Sequence, residues 1–195
     1  MILLTAVIAG LGLGLIRAKI NNRPYRPFQF RYGWMVLVAL FIQWLAFGFP
    51  PTRTIYPDEA ASISLVLSQF ILLIFAWFNR KIPGFWLLTI GLVLNLLVIS
   101  LNGGFMPISP ETVQWLRGDP ATAGWEVGER LGTGKDIVLP LEQTKLEFLS
   151  DRFRTPDNPY YRVAFSAGDV LIAIGAFWLL WSVGGQAERN SRKET

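Results

Sequence analysis

The sequence predicts an all-α polytopic membrane protein with five transmembrane helices, an N-terminus outside the cytoplasm and a cytoplasmic C-terminus. Three observations support this fold class. The chain of 195 residues is 52% hydrophobic with a mean hydropathy of +0.38, more apolar than soluble domains usually are. Its apolar residues come in blocks that approach the roughly 20 residues needed to cross a bilayer. Its Lys and Arg residues are concentrated between alternate blocks, as in cytoplasmic loops.

Five apolar blocks are the predicted spans, and the length of the chain suits a single membrane domain over residues 1–195. The predicted spans are residues 2–16, 32–50, 60–78, 85–101 and 163–183. The first block is short, so a cleaved signal peptide is the competing interpretation. No basic residue precedes it and the bases begin after it, at Arg17. This order favours a retained helix.

Loop charge predicts the orientation, because short cytoplasmic loops carry an excess of Lys and Arg. With the N-terminus outside, the cytoplasmic segments are residues 17–31, 79–84 and the tail 184–195. They hold five, two and three basic residues. The short outer loop, residues 51–59, holds only Arg53. Because the bases separate by membrane side, they predict orientation in a lipid bilayer and no nucleic-acid partner.

A long extracytoplasmic loop, residues 102–162, precedes the last span and carries nine acidic and seven basic residues. A connection of this length is expected to pack on the helical bundle. Within it, residues 111–117 and 141–152 are predicted to form short helices, the second either on the membrane surface or packed against the protein.

Small residues recur at intervals of four in the first span, at Ala6, Gly10 and Gly14. This spacing places them on one helix face, where they permit close helix packing. The face predicts either packing within the bundle or a contact with a second copy or a larger membrane complex.

The chain has no Cys and no His. Disulfides, thiol nucleophiles, imidazole bases, ordinary zinc sites and histidine-ligated haem are therefore excluded. No metal or cofactor is predicted, and buried proton or ligand chemistry is left to carboxylates and amides.

Asp169 is the charged residue that falls inside a predicted span, about six residues or roughly 9 Å from the outer end of the last one. A carboxylate at that depth is costly, so it should face the bundle interior. Ser166 lies on the same helix face. Gln43, Gln69 and Asn95 fall at similar depths in other spans, and all five residues are predicted to form one polar cluster. The cluster is interpreted as a structural latch, a ligand, proton or ion site, or a catalytic site.

Another motif follows the fourth span directly and contains Asn102, Gly103, Gly104, Met106 and Pro107. Asn and Gly accept left-handed backbone angles, so the run is typical of a turn at a helix end. The alternative is a backbone nest above the Asp169 pocket.

Together with residues 144–151 and the Phe-Ser-Ala-Gly-Asp run at 165–169, this motif resembles a bacterial family of polytopic membrane proteins, domain of unknown function 5317. The resemblance covers nearly the whole chain. It implies a bacterial plasma-membrane location and supplies no activity.

The run from Phe165 to Asp169 also resembles, in part, the last helix of lipoprotein signal peptidases, which are intramembrane aspartic enzymes. Asp151 and Arg152 are similar to the pair that carries their second aspartate, but Glu147 and Phe148 replace the Gly-Asn of that motif. This partial resemblance implies Asp169 and Asp151 as candidate catalytic residues that share a proton.

The predicted function is therefore a non-enzymatic accessory subunit, or a module that binds lipid or an isoprenoid, with a buried polar site around Asp169. The alternative is a small intramembrane enzyme or a proton- or ion-coupled transporter that uses Asp169.

Overall fold

The chain is mostly helical in the computed structural model, which describes residues 2–49, 51, 55–118, 120–156, 158 and 161–184. In chain order the helices are α1 (Ile2–Ile20), α2 (Trp34–Gln43), α3 (Asp58–Phe78), α4 (Phe85–Leu101), α5 (Pro110–Arg117), α6 (Pro120–Ala123) and α7 (Ala167–Val183). The strands are β1 (Met106–Ile108), β2 (Asp136–Val138), β3 (Phe153–Arg154) and β4 (Ala164–Phe165). Arg53 and the predicted tail beyond residue 184 lie outside the described residues.

Each predicted span contains an apolar helix, although some ends differ. α1 continues four residues past the predicted end, to Ile20, and α2 continues as a π-helical turn, Trp44–Gly48. α7 begins at Ala167 rather than 163, because β4 pairs with β3 and Ser166 then caps the helix. Backbone that pairs as a strand cannot also enter the first helical turn.

Two described helices, α1 and α3, are long and apolar enough to cross a membrane, judged by length and composition. The other apolar helices are shorter: Trp34–Gly48, Phe85–Leu101 and Ala167–Val183. Helix length alone therefore supports two spans and not the five that hydropathy predicts.

The all-α prediction is corrected by two small sheets, which involve three strands of the long loop and β4 at the start of the predicted last span. β1 pairs in parallel with β2, and β3 pairs antiparallel with β4. The prediction of a helix over residues 141–152 was wrong. Two 3-10 turns, Leu141–Gln143 and Glu147–Leu149, stand there, because Leu146 between them has a left-handed φ of 55°, which an α-helix cannot contain. The shorter predicted helix is confirmed as α5.

The helices pack in the spatial order α1, α7, α4, α3, α2. α7 thus lies between the first helix and α4. The long loop packs on the end of α3 and α4, where Phe105, Met106 and Leu149 join a buried cluster with helix residues such as Leu65 and Ile99. The expectation that this loop packs on the bundle is confirmed.

The glycine face of α1 contacts α7 in the same chain. A Cβ on Gly10 would lie 2.8 Å from the Phe177 carbonyl oxygen, and one on Gly14 would lie 2.6 Å from that of Leu180. Such approaches between backbones require glycine. Gly10 and Gly14 therefore pack within the bundle, the first of the two roles that the sequence predicts for this face.

We expect Gly10→Ala to destabilise the protein and Gly12→Ala to leave it as stable or more so. The added methyl at Gly10 would meet Phe177 backbone atoms at 2.8 and 2.9 Å, whereas nothing lies within 4 Å at Gly12. Overpacking costs about 1–3 kcal/mol, while Ala gains about 1 kcal/mol over Gly in a helix. Thermal unfolding in detergent measures both variants. Equal midpoints for the two would contradict the α1–α7 contact.

Candidate functional site

A closed ring of hydrogen bonds joins Asn95, Ser166 and Asp169. Asn95 Nδ2 donates to Asp169 Oδ1 at 2.8 Å, and Ser166 Oγ donates to Asn95 Oδ1 at 2.9 Å. The Asp169 amide donates to Ser166 Oγ at 3.0 Å, and the Ser166 amide donates to Asp169 Oδ2 at 3.2 Å. Asn95 and Ser166 are 3% and 0% exposed. The buried polar groups of Asn95 and Ser166 are therefore satisfied within the ring.

The local sequence explains how the ring forms. Ser166 is the N-cap of α7 and Asp169 its third residue, and their reciprocal bonds are a capping box. Gly91 on α4 and Gly168 on α7 bring the two helices together, because a Cβ on Gly91 would lie 2.6 Å from the Gly168 carbonyl oxygen. This contact lets a short Asn side chain on α4 reach the start of α7.

The other two predicted cluster members lie elsewhere. Gln43 donates to Ser68 Oγ at 2.9 Å, where α2 meets α3. Gln69 has a buried Oε1 with no hydrogen-bond partner among the described residues. No hydrogen bond in the described part of the chain connects Gln43 or Gln69 with Asp169. Depth along a helix predicts the level of a residue in the bundle, but it does not predict which neighbouring helix the residue faces.

The loop motif ends α4 and attaches the long loop to it. Asn102 donates to the carbonyls of Val98 and Lys145 and accepts from the Lys145 amide. Gly103 and Gly104 have φ values of 73° and 82°, which glycine adopts without strain. Met106 and Pro107 then continue into β1. Of the two interpretations of this motif, a turn at a helix end and a backbone nest, this geometry corresponds to the turn.

Asp151 lies in a separate charged group with Lys135 and Asp136. Lys135 Nζ is 2.8 Å from Asp151 Oδ2 and 2.6 Å from Asp136 Oδ1. The Asp151 side chain is 4% exposed, and its Oδ1 has no hydrogen-bond partner among the described residues. No hydrogen bond within those residues joins Asp151 to Asp169, so the two candidate catalytic carboxyls are not a hydrogen-bonded pair.

Burial raises the pKa of Asp151 to about 6, and the Lys135 ammonium opposes this rise. The charges of Asp136 and Asp169 also contribute to this raised pKa of Asp151. Burial also acts to lower the pKa of Lys135, but the three carboxylates outweigh it and raise that pKa above its usual value. Asp151 thus takes up a proton as the pH falls through about 6, which weakens its ion pair with Lys135.

Two adjoining cavities lie where the long loop meets α3 and α4. The polar pocket has a volume of about 580 Å³ and is lined by Asp58, Glu59, Glu129, Arg130 and neighbouring residues. The apolar groove has a volume of about 470 Å³ and is lined mainly by Val66, Leu67, Phe70 and Ser100. Ser62 and Gly103 line both cavities. The polar pocket and the apolar groove therefore adjoin at these two residues.

Sequence reasoning did not find Glu129, Arg130 or Lys135. These residues come from the long loop, which has no hydrophobic period to place them. The signal present was local: Lys135 and Asp136 are adjacent opposite charges after Gly132 and Gly134. Within the described residues, no group of three or more His, Cys, Asp or Glu is arranged to hold a metal ion.

Comparison with known proteins identifies a family and one relative. A sequence model described as "Family of unknown function (DUF5317)" matches residues 27–181, which confirms the resemblance based on the loop motif. An "Uncharacterized protein" of Thermotoga maritima is 46% identical over 121 residues, covering 59% of this chain and 61% of the relative. The match thus spans less than two thirds of the relative's length. No solved structure matches the chain.

We expect Asp169→Asn to keep most of the stability that Asp169→Leu loses. Asn retains one oxygen that can accept from Asn95, whereas Leu leaves the Asn95 amide and the Ser166 backbone amide without an acceptor. Each buried unsatisfied donor costs about 1–3 kcal/mol. Unfolding in detergent measures the difference. Ser182→Ala is the control, because the Ser182 hydroxyl donates to the Leu179 carbonyl of its own helix and to no other group among the described residues. A Leu variant as stable as the wild type would refute a latch.

Proposed function

We propose that this chain, which belongs to the family of unknown function DUF5317, is a five-span integral membrane protein that binds a lipid or isoprenoid chain. In this proposal Asp169 is a structural latch and not a reacting group. The observation that carries the proposal is the apolar groove between α3 and α4, which shares Ser62 and Gly103 with the polar pocket. This arrangement matches an amphiphile, with a chain in the groove and a headgroup in the pocket.

Outward-facing apolar side chains support a membrane location. All five apolar helices expose large hydrophobic residues, for example Ile8 on α1, Leu37 on α2, Ile63 on α3, Trp86 on α4 and Ile174 on α7. In α1 the buried residues are the small ones: Gly10, Gly14 and Ala18. Soluble monomers rarely expose such extended apolar surface, whereas a bilayer would cover it.

Two of the shorter helices, α4 and α7, are long enough for short spans. Seventeen residues, the length of α4 and of α7, extend over roughly 26 Å, within the range of short spans. The distribution of basic residues supports an N-terminus outside, and a location in the plasma membrane of a bacterium follows from this orientation and from the bacterial family. In this orientation the long loop and both cavities lie at the outer end of the bundle.

The groove has the dimensions and chemistry of a site for one hydrocarbon chain. From Ser62 to Phe70 it follows α3 for eight residues, or roughly 12 Å. Leu67 and Phe70 are 47% and 51% exposed. A chain that covered them would remain beside the bilayer and would leave its polar end at Ser62 and Gly103. An accessory subunit with the same groove would use it to contact lipid within a larger complex.

A small intramembrane enzyme or a proton- or ion-coupled transporter that uses Asp169 is the second candidate. One observation favours it: Asp151 has a buried, unpartnered oxygen, and Asp169 is among the charges that raise its pKa. Against it, both oxygens of Asp169 accept hydrogen bonds within the latch. Lipid binding accounts for the open cavities, which the enzyme hypothesis does not use.

The orientation can be measured with single cysteines, because the natural chain has none. We expect a membrane-impermeant maleimide to label Gln143→Cys in intact cells and Lys81→Cys only after the membrane is permeabilised. Both positions are exposed in the structure, so they differ only in the side of the membrane. Labelling of Lys81→Cys in intact cells would reverse the orientation, and labelling of neither site before permeabilisation would place the long loop inside.

Lipid binding can be tested by filling the groove. Ser100→Phe places a ring among the groove residues, and we expect the purified protein to retain several-fold less lipid. Ile90→Phe is the matched control, because Ile90 is an exposed residue of the same helix outside the groove. Lipid retained after gel filtration in detergent is quantified by mass spectrometry, at equal thermal stability. Equal retention by the two variants would argue against the groove as the binding site.

A further inference from the structure

The charges of the polar pocket narrow the class of lipid. Among the residues that the structure describes, four charged side chains line it: Asp58, Glu59, Glu129 and Arg130. Arg130 Nη1 and Asp58 Oδ1 form an ion pair at 3.0 Å, which leaves the two glutamates. Neither glutamate forms an ion pair with a basic residue in the described part of the chain. The pocket therefore carries a formal charge of about −2 at neutral pH.

Each of the three guanidinium nitrogens of Arg130 already donates a hydrogen bond, and the side chain is too buried to present its charge to an anion. Its Nε donates to the Gly134 carbonyl at 2.7 Å, and its Nη2 donates to the Thr133 carbonyl at 2.8 Å. The guanidinium carbon lies 5.2 and 5.3 Å from the ring centroids of Phe47 and Phe105. The side chain is 5% exposed. Arg130 thus holds the pocket wall together instead of presenting charge to a ligand.

Both glutamates, by contrast, are exposed at the pocket. Glu59 lies in the first turn of α3, three residues before Ser62, which lines the pocket and the groove. Glu129 approaches from the long loop, and Gly128 and Gly132 beside it present no side chain to the space. The open pocket thus brings two free carboxylates to the polar end of the groove.

We propose that the pocket and groove together bind a membrane lipid whose headgroup carries a primary ammonium, with one acyl chain in the groove. This inference rests on the proposed function and specifies the chemical class of the lipid headgroup. Glu59 and Glu129 would accept charge-assisted hydrogen bonds from the ammonium, and Ser62 and Gly103 mark the junction between headgroup and chain. A headgroup with net negative charge and no amine would face uncompensated repulsion.

The test compares two lipids with identical palmitoyl and oleoyl chains, phosphatidylethanolamine and phosphatidylglycerol. Each is titrated onto delipidated full-length protein in detergent, and bound lipid is counted by native mass spectrometry. We expect the wild type to prefer phosphatidylethanolamine roughly tenfold. The double variant Glu59→Gln with Glu129→Gln should lose the preference and keep phosphatidylglycerol binding. The control is Glu126→Gln with Glu142→Gln, which removes two exposed loop carboxylates outside the pocket.

The outcomes separate the two proposals. If the wild type binds both lipids equally and Ser100→Phe weakens both, the assignment of an ammonium headgroup is overturned. The groove would then remain a binding site for a lipid chain. A preference lost equally in the control double variant would also overturn the headgroup assignment. Saturable binding of neither lipid would overturn the proposed function itself. A dimer cross-linked through Leu67→Cys that excludes lipid would show that a second copy fills the groove.

Discussion

The contact between α4 and α7 is the constraint on which the remaining structure depends. Gly91 and Gly168 let the two backbones approach, and this approach allows Asn95 to reach Ser166 and Asp169. The ring fixes where α7 begins and seals the polar groups at that point. Since α7 also packs on α1, and β4 immediately precedes it, one hydrogen-bonded contact aligns the first helix, the last helix and the end of the long loop.

The chain uses its polar groups in two different ways. Asp169 sits within an apolar bundle and is satisfied by neighbouring side chains and backbone, so its carboxylate stabilises a helix start. The carboxylates of the long loop are less completely matched: Asp151 has one free buried oxygen, and Glu59 and Glu129 face a cavity. The ligand site that we propose therefore lies where the loop meets α3 and α4, apart from Asp169, the charge that falls inside a predicted span.

Hydropathy located the helices well because burial in a bilayer or a bundle requires long apolar runs, and these are visible residue by residue. The predicted span 85–101 coincides with α4. The same reasoning placed Asn95 and Ser166 beside Asp169, since depth along a helix can be counted. It failed for Gln43 and Gln69, because depth does not specify which neighbour a helix face meets. It also failed for residues 141–152, where a left-handed Leu146 interrupts an apolar spacing that favours a helix.

By itself the sequence determined the family, the positions of the apolar helices and the one charge within the predicted spans, because each of these can be recognised from local composition. Only the tertiary structure decided that Gly10 and Gly14 contact α7, that the polar cluster divides between two helix interfaces, and that Ser62 joins a charged pocket to an apolar groove. These features depend on which surfaces face one another, and that depends on close backbone approaches and loop pairings between residues far apart in the chain.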